Sequence, residues 1–415
     1  MTNLDLVGDD RPFRTCGGID GRDDVNDQTA YLGDTACDHL APILEVERPL
    51  RIFAVLDRQA YANSGAKDLI EKYFSGNCIT RFTDFEPNPK LDDVRKGIEL
   101  YRQAEPELVV AVGGGTSIDM AKLIRALAGT VDPEAVIRGK SPIVTSRSRF
   151  IAIPTTAGTG SEATQFAVVY VDGEKFSLDH ASLRPAIAIV DPRLMNTLPA
   201  AVTAATGLDA FCQAIESIWA VGATDESVRY AQTAAALALA HLPQATNSPD
   251  SVSREAMCRA SYLAGKAINI SRTTASHALS YPLTSRYGIP HGIAVSLTLA
   301  PMLAYNAAVT DEDCVDVRGT DHVQTRIRLI LDILGATSVH EGCLRIKSLL
   351  ADLSCPTSLQ EAGIASPDEL RDVIDAVNTQ RLSNNPRKAT SASLFELLSP
   401  ASTPRRRQKQ PTAAL

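Results

Sequence analysis

Apolar residues follow two different spacings along this chain. Between residues 48 and 195, short continuous apolar runs alternate with stretches in which apolar residues recur every three or four positions. A short apolar run bounded by turn residues is typical of a buried strand, and the longer spacing is typical of an amphipathic helix. Their alternation predicts a parallel sheet covered by helices, which places this part of the chain in the α/β class.

Nine segments carry the pattern. The predicted strands are LRIFAVLD, CITRFTDF, LVVAVGGG, RFIAIPTT and PAIAIVD. The predicted helices are GAKDLIEKYFSG, LDDVRKGIELYRQA and SIDMAKLIRALAG. The remaining segment, FAVVYVDGEKFSLDH, predicts a β-hairpin closed at Asp172 and Gly173, because an Asp-Gly pair suits a tight hairpin turn.

The pattern changes after Pro199. The segments AVTAATGLDAFCQAIESIWAV, ESVRYAQTAAALALAHL and REAMCRASYLAGKAI are rich in alanine and keep a helical apolar spacing. We therefore predict an α/β domain over residues 21–199, followed by an all-α domain over residues 200–398. Residues 1–20 predict a loose N-terminal arm, and residues 399–415, which are rich in Pro, Ser and Arg, predict a disordered basic tail.

The charge balance and the cysteines limit the classes of partner and compartment. The 415 residues carry a net charge of −8, and basic residues cluster only in the tail, so we expect a small-molecule partner rather than nucleic acid or a membrane surface. We expect neither a signal peptide nor a membrane span, since no run of about 18 apolar residues is present. The eight cysteines form no CxxC pair, which argues against a thiolate zinc site and favours the reducing cytoplasm.

A glycine-rich loop follows the predicted strand LVVAV. Gly113, Gly114 and Gly115 come directly after the strand, and Thr116 and Ser117 open the next helix. Glycine lets a ligand approach the backbone closely, and the start of a helix offers unpaired N–H groups, so the loop suits a phosphate. The alternative is a tight turn without a binding role.

Further polar residues extend this predicted cofactor site. Thr155, Thr156 and Thr159 follow another strand at a density that a plain turn does not need. Asp57 ends the strand FAVLD, where a carboxylate would bind a ribose diol and repel a 2′-phosphate, and the alternative is a helix N-cap. We also assign Asp119, on the helix after the glycine loop, to this site. The expected cofactor is NAD(H) or NADP(H), with NAD favoured.

Candidate metal ligands lie in the second half. Asp209 and Gln213 are four residues apart and therefore share one helix face. His277 and His291 are separated by two prolines and a glycine, so they can converge only through a turn. Two imidazoles and a carboxylate suit Fe²⁺ or Zn²⁺ with an open position, whereas structurally buried histidines are the alternative. A dinucleotide beside a Lewis acid indicates hydride transfer to or from a carbonyl or alcohol.

With these motifs the chain resembles the iron-containing (group III) alcohol dehydrogenases, which are related to the dehydroquinate synthases. The resemblance runs from about residue 48 to 396 and is carried by GGGTSIDMAK, PTTAGTGSE, DPRLMNTLPAAVTAATGLDAFCQAIES and GIPHGIAVSLTLAPMLAYN, in that order. It implies an α/β dinucleotide-binding domain, a helical domain that binds metal and substrate, and an active site between them. It also implies that Asp209, His277 and His291 are metal ligands.

The sequence departs from this family at two positions. The family commonly has histidine where this chain has Gln213 and Tyr281. The amide oxygen of Gln213 is a weaker ligand for a transition metal than an imidazole, so metal affinity should fall or the metal should change. Tyr281 can still relay a proton to the product, because its O–H is both a donor and an acceptor.

Within the family, the chain is most similar to the phosphonoacetaldehyde reductases, which make 2-hydroxyethylphosphonate. The segments that carry this similarity are ISRTTASHALSYPLTSRYGIPHG, DAFCQAIESIWAV and RLSNNPRK. It implies metal-dependent, NAD(P)H-linked reduction of an anionic aldehyde, with Arg272, Thr273 and Thr274 binding the phosphonate through charge-assisted hydrogen bonds. These residues and Tyr281 are the expected catalytic set. A surface arginine or a contact with a cofactor phosphate are the alternatives for Arg272.

Other activities stay open at this point. A general alcohol dehydrogenase or a maleylacetate-type reductase would differ in its substrate, and a phosphonate-against-carboxylate comparison separates them from a phosphonate enzyme. A sugar-phosphate cyclase would use NAD without net turnover, and a non-catalytic protein would only bind the cofactor. We expect a homodimer or a higher homo-oligomer.

Overall fold

The computed structural model describes residues 28–74 and 76–399, without the side chains of residues 379–381. The predicted N-terminal arm, residues 1–20, and the predicted basic tail beyond Ser399 lie outside these residues. Within them, no helix combines the length and the apolar character that crossing a membrane requires.

A six-stranded parallel sheet forms the centre of the first half. Its first five strands are β1 (Thr29–Leu32), β2 (Arg51–Leu56), β3 (Cys78–Phe82), β4 (Leu108–Gly113) and β5 (Arg149–Pro154). An antiparallel hairpin of β6 (Phe166–Val171) and β7 (Glu174–Asp179) precedes the last strand, β8 (Ile187–Val190). The order across the sheet is β1-β8-β5-β4-β2-β3. The predicted parallel sheet and the predicted hairpin are both confirmed.

Helices cover both faces of this sheet. They are α1 (Leu40–Glu47), α2 (Arg58–Asn63), α3 (Ala66–Ile70), α4 (Leu91–Ala104), α5 (Gly115–Leu127) and α6 (Pro133–Ile137). Along β2, Phe53 and Val55 pack with α4 and α5, whereas Ile52 and Leu56 pack on the opposite face with α1 and α3. Successive residues of a strand point to opposite faces, so a sheet covered on both sides requires strands without polar positions.

The apolar pattern misses or misplaces several element boundaries. It does not predict β1, a four-residue edge strand that is too short to show a pattern. The helix predicted over residues 65–76 is interrupted, because α3 ends at Ile70 and a 3₁₀ helix follows over Glu71–Phe74. The strand predicted over residues 78–85 ends at Phe82, and the helix predicted from Ser117 begins two residues earlier, at Gly115.

Helices make up the described part of the second half. They are α7 (Ala200–Trp219), α8 (Asp225–Asn247), α9 (Ser251–Ser271), α10 (Ala275–Tyr287), α11 (His291–Ala307), α12 (Thr320–Leu334), α13 (Val339–Asp352), α14 (Pro367–Asp375) and α15 (Ser391–Leu398). Most side chains of α7 are buried, and its residues Phe211, Ile215 and Trp219 belong to the helical core. The predicted fold class, an α/β part followed by an all-α part, is confirmed. The domain boundary at residue 199 stays our proposal.

Candidate functional site

A cavity of about 820 Å³ lies where the carboxyl ends of β2 and β4 face helices of the second half. Both parts of the chain line it, with Asp57 and Gly114 on the sheet side and Asp209, His277 and Arg272 on the helical side. In open α/β sheets, ligands bind at the carboxyl ends of the strands. The cavity therefore brings most of the predicted cofactor residues and all of the predicted metal ligands to one place.

The glycine loop forms the sheet-side wall. Gly114 is the N-cap of α5 and provides no side chain to bond the first N–H groups of the helix, and Gly115 and Thr116 face the cavity. A Cβ atom at Gly115 would lie 2.8 Å from the side chain of Thr159, so only glycine fits there. The start of a 13-residue helix that no side chain caps suits a phosphate group.

Three predicted cofactor residues, Gly113, Ser117 and Thr155, do not line this cavity. Ser117 is fully buried beneath the loop, and its Oγ would lie 2.3 Å from a Cβ atom at Gly113. The Thr155 hydroxyl is also buried, and its backbone N–H donates to the Gly113 carbonyl. The side chains of Ser117 and Thr155 point into the protein interior and pack beneath the loop. Thr156 and Thr159, from the same predicted set, do line the cavity.

Asp57 caps a helix and also faces the cavity. It lines the cavity, and its Oδ1 accepts a hydrogen bond of 2.7 Å from the N–H of Ala60, which caps α2. An N-cap uses one carboxylate oxygen, so the geometry is compatible with a second bond to a ribose hydroxyl.

Asp119 and a buried lysine hold the loop between β5 and β6, hereafter called the second loop. Asp119 lines the cavity, but its carboxylate accepts bonds from the Ser161 hydroxyl, 2.5 Å away, and from the Val168 N–H, 2.9 Å away. Lys122 is 1% exposed and donates to the Ser161 and Thr164 hydroxyls, each 3.0 Å away. Burial lowers the pKa of Lys122 to about 8. Sequence reasoning missed Lys122, whose place on the inner face of α5 is visible only in the fold.

Asp209, His277 and His291 form a compact cluster on the helical side. Their potential ligand atoms all lie within 4.8 Å of one another. Asp209 Oδ1 is 3.3 Å from His277 Nε2 and 3.9 Å from His291 Nε2. Gln213, one turn further along α7, adds a buried Oε1 that has no hydrogen-bond partner. Two imidazoles, a carboxylate and an unsatisfied amide oxygen are a donor set that fits a divalent transition metal.

Hydrogen bonds and nearby charges keep Asp209 ionised, and burial keeps His291 neutral. Burial raises the pKa of Asp209, but hydrogen bonding and charge from the two histidines outweigh it and lower the pKa. Burial, together with the charge of Lys175, lowers the pKa of His291 to about 3 despite the opposing charge of Asp209. A carboxylate and a neutral imidazole are the protonation states in which these groups coordinate metals.

Glu216 forms a hydrogen bond with the Nδ1 side of the His277 ring. It was not among the predicted residues. It is fully buried on α7 and accepts hydrogen bonds from His277 Nδ1, the Thr274 hydroxyl at 2.7 Å and the Ser276 N–H at 2.8 Å. The bond to Nδ1 leaves Nε2 facing Asp209. A carboxylate behind a ligating histidine fixes the tautomer and the ring orientation. The signal was present in the sequence, because Glu216 is three residues after Gln213 on the same helix face.

Gly292 explains how His291 reaches α7. His291 is the first residue of α11, and the following glycine lies against the α7 backbone. A Cβ atom at Gly292 would lie 1.9 Å from the carbonyl oxygen of Ala205 and 2.7 Å from the N–H nitrogen of Asp209. The missing side chain therefore allows α11 to begin directly beside Asp209. The two histidines converge through the turn between α10 and α11, as predicted.

Tyr281 lies beside the histidine cluster on α10. Its ring is stacked on His291, with centroids 5.8 Å apart and ring planes 6° apart. The ammonium group of Lys175, on the β6–β7 hairpin, lies 3.5 Å from the centroid of the Tyr281 ring. Both side chains line the cavity. Lys175 was missed by sequence reasoning, because a lysine on a hairpin strand has no distinguishing local pattern.

Arg272 lies at the junction of α9 and α10, on the cavity wall. Its guanidinium forms an ion pair with Asp179 on β7, donates to the carbonyls of Ile268 and Asn269, and lies over the Phe166 ring. The backbone of Arg272 has φ 62° and ψ 176°, a combination that only glycine adopts without strain. Strain of this kind persists where the surrounding structure enforces it, and it is common at functional sites.

The two threonines after Arg272 differ in their surroundings. Thr273 lines the cavity. Thr274 also lines the cavity, but its hydroxyl donates to Glu216 and accepts from the indole N–H of Trp219, 2.9 Å away. Since a hydroxyl has one proton to donate, the predicted bond from Thr274 to a substrate anion is not compatible with this arrangement. We therefore leave Thr274 out of the proposed anion pocket.

Two asparagines on the cavity wall were not predicted. Asn88 has φ 64°, and its backbone N–H donates to the Thr116 hydroxyl next to the glycine loop. Asn384 lies before α15 and reaches the α9–α10 junction, more than 100 residues away along the chain. Both contacts join distant segments, so nothing in the local sequence indicates them.

Two family models match the sequence. The iron-containing alcohol dehydrogenase model matches residues 28–192. The model for the C-terminal part of the Fe-containing alcohol dehydrogenase family matches residues 203–402.

Individual relatives agree with these matches. A phosphonoacetaldehyde reductase of Streptomyces viridochromogenes is 36% identical over 320 residues, which are 74% of this chain and 79% of that protein. The NAD-dependent methanol dehydrogenase of Bacillus methanolicus is 31% identical over 83% of this chain and 89% of that protein. Among solved structures, sulfoacetaldehyde reductase from Bifidobacterium kashiwanohense in complex with NAD⁺ has a TM-score of 0.80 at 30% identity, covering 89% of this chain and 96% of that one.

Proposed function

Because the chain belongs to the iron-containing alcohol dehydrogenase family, we propose that it reduces an anionic aldehyde with a nicotinamide cofactor and a divalent metal. The proposed substrate is phosphonoacetaldehyde, and the proposed product is 2-hydroxyethylphosphonate. In this reaction the aldehyde, NADH and one proton give the alcohol and NAD⁺. The observation that carries the proposal is the strained Arg272 on the cavity wall, beside the cluster of Asp209, His277 and His291.

The helical side would hold the metal. Asp209, Gln213, His277 and His291 are the proposed ligands, and Fe²⁺ or Zn²⁺ held there would supply Lewis-acid polarisation of the substrate carbonyl. Glu216 keeps the Nδ1 side of His277 occupied, so that Nε2 is the ligating atom. Gln213 contributes its otherwise unsatisfied Oε1.

The sheet side would hold the cofactor, whose nicotinamide supplies the hydride when bound. The N–H groups at Gly115 and Thr116 bind the pyrophosphate at the start of α5. Thr156 and Thr159 flank the cofactor from the second loop. Asp57 binds the ribose diol and disfavours NADPH, so NADH is the proposed cofactor.

The residues near Arg272 and Tyr281 would bind and protonate the substrate. A guanidinium has five N–H donors, and its three bonds to Asp179 and two carbonyls leave two for the substrate anion. Thr273 lies next to it on the cavity wall. The phenol of Tyr281, stacked on His291, donates the proton to the product oxygen.

The test measures NADH oxidation with phosphonoacetaldehyde and with 3,3-dimethylbutanal, which replaces the phosphonate by a neutral group of similar shape. We expect kcat/KM to favour the phosphonate by ~100-fold, equivalent to about 2.7 kcal/mol of transition-state binding. Arg272→Gly, which suits the backbone at this position, should remove most of this preference and change the rate with the neutral aldehyde less than ~2-fold. An equal loss for both substrates would contradict an anion pocket at Arg272.

A sulfonated aldehyde is the second candidate, since the sulfoacetaldehyde reductase structure is similar over 89% of this chain. Sulfoacetaldehyde carries one negative charge where the phosphonate carries close to two. Preference for it in the same assay would keep the anion pocket and replace the substrate. A preference for a carboxylated aldehyde would favour the maleylacetate-type alternative, and the absence of net NADH consumption with any aldehyde would favour a cyclase.

A further inference from the structure

The side chain of Asn384 forms hydrogen bonds with the backbone on both sides of the strained residue Arg272. Asn384 Nδ2 donates to the carbonyl oxygens of Ser271 and Thr273, and both distances are 2.9 Å. These are the carbonyls of the residues directly before and after Arg272. The bond to the Ser271 carbonyl fixes the peptide plane directly before Arg272, and the bond to the Thr273 carbonyl fixes the peptide that follows Thr273. Together they hold the chain on either side of the unfavourable φ and ψ of Arg272.

Asn384 is itself anchored to the end of α7. Its Oδ1 accepts a bond from the Gly222 N–H at 2.9 Å, and its backbone carbonyl accepts one from the Val221 N–H at 3.0 Å. Gly222 lies close to the same junction, because a Cβ atom there would be 2.9 Å from the Ser271 carbonyl oxygen. Asn384 therefore links the end of α7 to the junction of α9 and α10.

The chemistry of this position is specific for an amide. Two donors on one nitrogen are needed to reach two carbonyls, and an acceptor is needed for Gly222. Aspartate has the same shape but no donor and would add a negative charge on the wall of the cavity. Serine has one donor and can reach only one of the two carbonyls.

We propose that Asn384 is a positioning residue for Arg272, and that the pair determines the preference for anionic aldehydes. This inference rests on the proposed function, because it assumes that Arg272 binds the substrate anion. Asn384 holds the backbone in the conformation that directs the guanidinium along the cavity wall, where Asp179 and Phe166 then hold the side chain.

The first test compares Asn384→Ala with Asn385→Ala. Asn385 is the adjacent buried amide and bonds to Asn306 and the Arg387 carbonyl instead of the junction. We expect Asn384→Ala to lower kcat/KM for phosphonoacetaldehyde at least ~10-fold, mainly through KM, and that for 3,3-dimethylbutanal less than ~2-fold. Asn385→Ala should lower the melting temperature without changing the preference. Equal losses on both aldehydes for Asn384→Ala would overturn the inference.

The second test places Asn384→Ala in the Arg272→Gly background and needs no substrate. Glycine adopts the backbone conformation freely, so the drop in melting temperature caused by Asn384→Ala should be clearly smaller there than with arginine at position 272. An equal drop in both backgrounds would overturn the proposal. Asn384→Ser replaces Asn384→Ala in both tests if the alanine variant does not fold.

The outcomes separate this inference from the proposed function. If Arg272→Gly removes the anion preference and Asn384→Ala does not, the positioning role is refuted and the proposed function stands. If Arg272→Gly keeps the preference, the proposed anion pocket is refuted, and with it the specificity role of Asn384.

Discussion

The close contact of α11 with α7 at Gly292 allows a specific test of how the proposed metal ligands are positioned. Gly292→Ala would place a methyl carbon 1.9 Å from the Ala205 carbonyl oxygen, where ordinary contact begins at 3.4 Å. The start of α11 must therefore move back by about 1.5 Å, the difference between these distances, or the backbone of α7 must give way. Metal sites tolerate deviations of only about 0.2 Å in their ligand distances.

We expect Gly292→Ala to weaken metal binding at least ~10-fold, because His291 is carried on the displaced turn. Overpacking should also cost about 1–3 kcal/mol of the free energy of unfolding. The assay is a competition for Zn²⁺ between the folded protein and a chromogenic chelator at fixed pH. The metal-free protein is followed in parallel by thermal unfolding.

Gly288→Ala is the matched control four residues earlier in the same turn. Gly288 has φ +69° and no atom within 4 Å of an added Cβ, so alanine there costs backbone strain of about 1–2 kcal/mol without a clash. Both variants should lose stability, but only Gly292→Ala should lose metal affinity. If Gly292→Ala binds Zn²⁺ as tightly as Gly288→Ala, the close approach does not position His291.

Two further predictions concern single positions in the cavity. Asp57→Ser keeps an N-cap but removes the negative charge. The ratio of kcat/KM for NADPH to kcat/KM for NADH should therefore rise at least ~10-fold, while the melting temperature stays the same. An unchanged ratio in steady-state kinetics would mean that Asp57 acts only as a helix cap. Gln213→His replaces an amide oxygen by an imidazole nitrogen, which is a stronger metal ligand. The Zn²⁺ affinity measured by chelator competition should therefore rise at least ~10-fold. An unchanged affinity would mean that position 213 does not contact the metal.

The fold could be predicted where burial imposes a regular pattern. LVVAVGGG has no polar position because β4 is covered on both faces, and α4 shows a clear apolar spacing because one face is exposed. Among the described strands, β1 pairs with β8 alone, more than 150 residues away. Its four residues are too few to carry a pattern, so it could not be predicted locally.

The site could be predicted in its residue types but not in all its contacts. Asp209 and the two histidines converge as the family resemblance implied, whereas the spacing alone indicated only that the histidines could meet through a turn. Thr274 was assigned to the substrate because it is polar and close to Arg272. Its hydrogen bond to Glu216 depends on the position of α7 beside the start of α10, which sequence spacing does not reveal.

One stripe of α7 carries Asp209, Gln213 and Glu216 at intervals of four and three residues. All three are held by one helix without help from a loop. If Gln213 is a ligand, as we propose, a change of side chain at position 213 would alter the donor set and leave the backbone in place, and the fold could acquire a different metal preference in one mutational step. Adaptation to iron-poor or zinc-poor surroundings then requires no new architecture, and a laboratory library limited to this position would explore it.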